Sequence, residues 1–312
     1  MKKCILLSCN ADHLKYAEFV AWQIRQKTNS QTPIFIASAD PNAMKLVGTD
    51  SQLILFDSSD FLKNLPQNDR LKQFAYWRIP AIELLSDNFD RILYLDTDVI
   101  ITGENLDSIF SINMQNATVG AVRDVYQSTR PNRYPREFNA LGLPNAPYFN
   151  AGVLLIDGKA WKGKGIYNKI KKVAQNNPEA ITALDQSLLN LAVYCDWLEI
   201  SPVWNWQLSE RNWKTMLQTS VEICHIAGPN KAWSENNATS LPINFARSQF
   251  LQFCQAVEID GSNQGADPKN KLNKLFLIKI SLKNWVYKHH YKKWLARFTS
   301  KFIGNKVKPF TK

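Results

Sequence analysis

An apolar run that ends on two carboxylates constrains this chain more than any other feature. Arg91-Ile92-Leu93-Tyr94-Leu95 leads into Asp96-Thr97-Asp98-Val99-Ile100. The run has the length and the β-branched and aromatic content of a buried strand, so Asp96 and Asp98 stand at a strand exit. Carboxylates buried side by side repel each other and lose hydration unless a cation or a proton intervenes. An oxygen-ligand site for Mg²⁺ or Mn²⁺, completed by substrate phosphates, resolves both costs. The plainer alternative, in which Asp98 only turns the chain in solvent, stays open on these residues alone.

At 312 residues and 45% hydrophobic content the chain can bury one large core, or one core with a small appendage. Cys4, Cys9, Cys195, Cys224 and Cys254 form no CxxC pair, the usage of a reducing compartment. Lys2 and Lys3 precede too few apolar residues before Asn10 and Asp12 for a signal-peptide core, which also undercuts the lipobox-like Leu7-Ser8-Cys9. No run approaches the roughly 20 apolar residues of a spanning helix. The expectation is a cytoplasmic protein. Its net charge of +11 is misleading as a whole-molecule property: 13 Lys or Arg and no acid lie from Lys269 onward, leaving 25 basic against 27 acidic side chains before it.

The periodicities predict strands at Cys4–Ser8, Thr32–Ala37, Gln52–Phe56, Arg91–Leu95, Thr118–Val122, Tyr148–Asp157 and Val221–Cys224. They predict helices at Tyr16–Lys27, Arg70–Ser86, Gly165–Asn176, Leu184–Val193 and Ile243–Val257, with Pro80 kinking or dividing the second. The succession argues for an α/β fold with a mostly parallel central sheet flanked by helices. Ligands gather at the C-terminal strand edges of such sheets, where the loop Asn10–His13 and the pair Asp96, Asp98 would meet. The aperiodic stretch Asp124–Pro147 reads as a lid or acceptor loop, or as a plain surface loop. The expected domains are a catalytic unit over 1–257, a linker over 258–270 and a basic tail over 271–312.

Six segments, in this order, resemble those of the family 8 retaining glycosyltransferases, the group of glycogenin and the bacterial lipooligosaccharide galactosyl- and glucosyltransferases. They are Asp12 with Tyr16; Tyr76-x-Arg78-Ile79-Pro80; Leu93-Tyr94-Leu95-Asp96-Thr97-Asp98; Phe149-Asn150-Ala151-Gly152-Val153; Asp185-Gln186-x-x-Leu189-Asn190; and His225-x-x-Gly228-Pro229-x-Lys231-x-Trp233. The resemblance implies a GT-A fold, the nucleotide-diphospho-sugar transferase fold, with a UDP-hexose donor (UDP-glucose or UDP-galactose) and Mn²⁺, Mg²⁺ being the substitute. It makes Asp96, Asp98 and His225 the metal ligands. Asp12, Tyr16, Arg78, Thr97, Gly228 and Lys231 join them in binding the donor, Tyr16 by stacking on the base or by packing into the core instead. Asn150, Asp185 and Gln186 line the hexose, with Gln186 on the β face of the anomeric carbon. A neutral amide is a poor nucleophile, so front-face departure of the phosphate is favoured, with Asp185 as transient nucleophile the alternative. Two departures from the family pattern stand out. Arg78 is one residue farther from Asp96 than is usual, and Cys9-Asn10 replaces the usual acidic or alanine pair.

In the tail, Tyr287, Tyr291, Trp294, Leu295, Phe298 and Phe302 fall on one helical face with lysines around it, the profile of an amphipathic helix lying on an anionic membrane. That places the enzyme at the inner face of the cytoplasmic membrane and points to a saccharide acceptor that is lipid-linked, such as lipooligosaccharide, rather than to nucleic acid. Two rivals use the same residues. A haloacid-dehalogenase-type phosphatase would take Asp96 as nucleophile and Asp98 as acid, but some 90 residues of α/β pattern precede them here. A non-enzymatic lipid-surface binding module would use the tail alone.

Overall fold

The computed structural model describes residues 1–43, 50–63, 65, 73–129, 133–209, 212–227, 231, 240–259 and 305–310. Its strands are β1 (Lys3–Ser8), β2 (Ile34–Ser38), β3 (Gln52–Leu55), β4 (Arg91–Leu95), β5 (Val99–Ile101), β6 (Val119–Arg123), β7 (Phe149–Asp157), β8 (Trp197–Glu199), β9 (Trp206–Gln207), β10 (Ile223–His225) and β11 (Asn305–Lys306). Among the described residues eight of them form one sheet in the order β11-β8-β6-β7-β4-β1-β2-β3, and β5-β10-β9 form a second. β1 runs parallel to β2 and β4, β2 to β3 and β6 to β8, while β7 is antiparallel to both its neighbours. This is the mostly parallel sheet that the sequence predicts.

The continuous apolar runs are explained by burial on both faces. Along β1, Cys4 and Leu6 enter one core cluster and Ile5 and Leu7 the other; along β4, Ile92 and Tyr94 part from Leu93 and Leu95 in the same way. Strand side chains alternate faces, so a strand covered on both must be apolar throughout. Helices Arg78–Leu85, Ile166–Asn176 and Leu184–Ala192 supply residues to the first cluster, and helix Leu14–Lys27 to the second.

Within the described residues the helical stretch divides just ahead of Pro80, in line with the expected division. A 3₁₀ segment at 73–77 hands over to the helix at Arg78, and Pro80 falls in its first turn, where a backbone N–H has no intrahelical acceptor to lose. Gly165, at φ +61°, precedes helix Ile166–Asn176 in the left-handed region that glycine occupies without strain.

The expected amphipathic helix of the tail lies outside the described residues. Residues 305–310 are described and join the main body. β11 adds antiparallel to the edge of β8, Val307 is buried in the first cluster, and the Phe310 N–H donates to Asn145 O at 2.8 Å. Lys306 pairs with Asp196 at 2.9 Å. No helix among the described residues is long and apolar enough to cross a membrane.

Candidate active site

β4 delivers Asp96 and Asp98 to the C-terminal edge of the sheet, and the small second sheet brings His225 to them. After the turn at Thr97 the chain continues as β5, which pairs antiparallel with β10 in the register His225↔Val99, and Ile226 N–H donates to Asp98 O at 3.0 Å. His225 Nε2 therefore lies 3.3 Å from Asp98 Oδ1 and 3.7 Å from Asp96 Oδ2. Ligand atoms of Asp96, Asp98 and His225 all fall within 4.8 Å of one another.

Close approach here depends on a missing side chain. Gly152 of β7 faces the imidazole, and a Cβ at this position would overlap the ring of His225. The glycine of the Phe149–Val153 segment is thus the clearance for the histidine.

Asp98 is 8% exposed, yet its Oδ1 is buried without a hydrogen-bond partner, 3.3 Å from His225 Nε2. Lys231 sits on its other oxygen, and Lys231 Nζ also reaches Ile226 O at 3.1 Å. Burial alone would raise the Asp98 carboxyl; the Lys231 ammonium leads the charges that outweigh it, with His225 adding to it only when its imidazole is protonated, and the carboxyl is held well below the usual carboxylate range. An orphaned, ionised oxygen facing a second carboxylate and an imidazole fits a divalent cation.

Arg78 joins this cluster to the next. Its Nη2 is 2.8 Å from Asp96 Oδ1, its Nη1 donates to Ala151 O at 2.8 Å, and the guanidinium lies over the Tyr94 ring at 4.5 Å. Its Nε lies 3.1 Å from Asp185 Oδ2, again an ion pair without hydrogen-bond alignment. Although burial works against its charge, Asp185 and Asp96 keep it cationic. The Tyr94 hydroxyl donates to Asp96 Oδ1 at 2.8 Å. The longer spacing between Arg78 and Asp96 thus leaves the two in direct contact.

Helix Leu184–Ala192 places Asp185 and Gln186 against β7. Asn190 clamps the two elements by accepting from Phe149 N–H at 2.9 Å and donating to Phe149 O at 3.0 Å. Gln186 Oε1 accepts from Ala151 N–H at 3.0 Å and from Asn150 Nδ2 at 3.3 Å. Asp185 is buried, and that burial lifts its carboxyl to about 6 against the opposing charge of Arg78.

Two cavities flank this row. One, of about 200 Å³, is lined by Ser8, His13, Phe74, Arg78, Asp96, Thr97, Asp98 and Lys231. The other, of about 400 Å³, opens beside Gln186 and is lined by Asp124, Tyr126, Arg133, Arg136, Glu137 and Tyr148 from the 124–148 excursion, with Thr182. Asp124, absent from the sequence-derived site, is pushed up by burial despite hydrogen bonds from Tyr126 N–H, Asn150 and Gln186.

The remaining expected donor residues divide. Asp12 is exposed on the 3₁₀ turn Ala11–His13. Tyr16 is 7% exposed and packs on Phe250 at 5.4 Å, so its ring belongs to the core. His13 instead stacks on Phe74 at 5.2 Å, both lining the smaller cavity. Gly228 lies outside the described residues.

The profile of the family described as Glycosyl transferase family 8 matches residues 4–237. Glycosyltransferase GlyF of Streptococcus pneumoniae is 25% identical over 255 residues, covering 77% of this chain and 60% of GlyF. Lipopolysaccharide 1,2-glucosyltransferase of Escherichia coli is 24% identical over 190 residues, covering 56% of this chain and 54% of that protein. The chain thus spans little more than half the length of these curated relatives. Among solved structures, galactosyltransferase LgtC in complex with donor and acceptor sugar analogues superposes with a TM-score of 0.65 at 18% identity, over 81% of this chain and 99% of that one.

Proposed function

The chain belongs to glycosyl transferase family 8, and on that premise we propose that it moves a hexose, glucose or galactose, from a UDP-sugar to a saccharide acceptor with retention at the anomeric carbon. It is a glycosyltransferase of GT-A fold, which weighs against the phosphatase reading of the Asp96-Thr97-Asp98 segment and against a purely non-enzymatic module. The observation that carries the proposal is the row Asp98, Asp96, Arg78, Asp185, Gln186 running between two cavities. Cations and metal-ligating acids lie on the first, and a sugar-sized space bordered by hydroxyl, carboxyl and aromatic groups lies on the second.

Asp96, Asp98 and His225 would hold the divalent cation, Mn²⁺ by donor chemistry, and the bound ion would supply charge neutralisation to the departing diphosphate. Lys231, already within reach of Asp98, adds a second positive charge for the same phosphates. Arg78 orients both Asp96 and Asp185. Asn150, Asp185 and Gln186 line the hexose; with Gln186 a neutral amide, front-face departure fits better than a covalent intermediate. The acceptor would enter over the 124–148 excursion, where Tyr126 is exposed for stacking on a sugar ring.

The names of the relatives support hexose transfer to a lipopolysaccharide-type acceptor, and the basic, aromatic stretch 271–304 supports attachment to an anionic membrane surface. The test is a panel of UDP-sugars with Mn²⁺, read as product formed on lipid-linked and free saccharide acceptors. One hexose selected, with an α-linked product from the α-linked donor, is the expected result. An inverted product, or transfer only from sugars lacking UDP, would contradict it.

A further inference from the structure

Asn205 stands immediately before β9, 1% exposed. Its contacts allow only one assignment of donors and acceptors. The Gly152 N–H can only donate, and it lies 3.0 Å from Asn150 Oδ1, so Asn150 must present its carbonyl oxygen there. The same oxygen receives a second bond, at 2.9 Å, from Asn205, which must therefore turn its Nδ2 toward Asn150. Asn205 Oδ1 is left facing His225 Nδ1 at 3.0 Å. An acceptor at that distance requires the proton on Nδ1. In a neutral imidazole the lone pair is then on Nε2, the nitrogen that faces Asp98 and Asp96.

We propose that Asn205 is a positioning residue that fixes His225 in the Nδ1–H form, with the Nε2 lone pair aimed at the metal position, and that ties this ligand through Asn150 to Gln186. The chain His225, Asn205, Asn150, Gln186 is continuous in hydrogen bonds and starts from a backbone N–H whose direction is not free to change. It couples the cation end of the site to the hexose end without passing through solvent. The inference rests on reading Asp96, Asp98 and His225 as the metal site.

The test uses the full chain with two readouts. The first is the imidazole ¹⁵N spectrum of the metal-free protein at about pH 8.5, well above the ordinary imidazole pKa. The chain has four histidines, and a His225→Asn variant assigns the signal. The second is Mn²⁺ affinity by electron paramagnetic resonance. Wild type should show His225 protonated at Nδ1. Asn205→Ala should lose that preference and bind Mn²⁺ about 10- to 100-fold more weakly. Asn205→Asp keeps an acceptor for Nδ1 while breaking the bond to Asn150, so it should retain the tautomer and bind Mn²⁺ within about 3-fold of wild type by the same outer-ligand logic. His225 protonated at Nε2 in wild type, or an Asn205→Ala protein with unchanged tautomer and affinity, would overturn the inference and leave the metal reading standing. A wild type with the Nδ1 proton but no saturable Mn²⁺ binding would overturn the metal reading, and with it Asn205's role toward a metal. Should Asn205→Ala fail to fold, the wild-type spectrum and the Asn205→Asp protein still decide.

Discussion

Arg78 Nε lies 3.1 Å from Asp185, while Nη2 of the same guanidinium lies 2.8 Å from Asp96. One buried cation thus answers two acids, the half-buried Asp96 at the proposed metal position and the buried Asp185 next to Gln186. Removing one partner of such a cluster leaves charge uncompensated in the interior. Arg78→Met should cost about 3–5 kcal/mol of stability in urea unfolding. It should also lower turnover by at least about 100-fold, the scale of a lost electrostatic group at the reacting centre. Arg78→Lys should not restore turnover, because one ammonium cannot hold the planar, three-sided contact to Asp96, Ala151 O and Asp185.

The raised carboxyl of Asp185 gives a pH signature. Its value of about 6 in the folded chain stands above an ordinary 3.8, with burial as the main cause, Arg78 opposing and Asp96 adding. Between about pH 4 and 6 the folded chain keeps a proton that the unfolded chain has released, so stability falls as pH rises through that window. Asp185→Asn removes this titration. In the metal-free protein its stability relative to wild type should therefore climb from pH 4 to 7, by at most on the order of 3 kcal/mol. Parallel stability curves for the two proteins would contradict the assignment.

Gly152 tests the clearance around His225. In Gly152→Ala the new methyl group must displace either the imidazole or β7. Stability should fall by about 1–3 kcal/mol, as for other over-packed interiors. Mn²⁺ affinity, measured by titration calorimetry, should fall with it. A Gly152→Ala protein of unchanged metal affinity would show that His225 is not held where the fold places it.

The edge strand predicts a role for residues 305–310 in stability. Val307 is 6% exposed, its N–H donates to Trp197 O at 3.0 Å, and the Phe310 N–H donates to Asn145 O. Val307→Asp buries a charge and should release β11. Faster hydrogen exchange is then expected at Trp197–Glu199 and around Asn145, with β1 and β4 unchanged. Uniform exchange across the sheet, or none, would show that the segment is not the clasp that these contacts describe.

What the sequence discloses, and what it hides, follows from the range of the interactions. Arg91–Leu95 and the strand ending at Asp157 are legible because burial on both faces makes long apolar runs, and Asp185-Gln186 opens a helix whose stripe is plain. β10 is legible as the apolar run Val221–Cys224, one to two residues early, whereas β9 and β11 have two residues each, too few for any period, and exist only through partners distant in the chain. Asn205 is invisible for that reason, since its role is created by the junction of β9 with β10. Tyr16 and His13 lie three residues apart on adjoining helical turns, and spacing alone cannot tell that Phe250 buries the first while Phe74 stacks on the second. Asp124 is hidden by its place at the head of an aperiodic stretch, where only the fold reveals its burial.

Asp96, Asp98 and His225 are proposed here as the centre of a cation-dependent sugar transfer. Its most direct measurement is UDP release from UDP-glucose and UDP-galactose as Mn²⁺ is titrated, for wild type and Asp98→Asn. Saturable, Mn²⁺-dependent release from one of the two sugars is expected in wild type, with at least about a 100-fold loss in the variant. Release that is indifferent to Mn²⁺, or an Asp98→Asn protein as active as wild type, would contradict it.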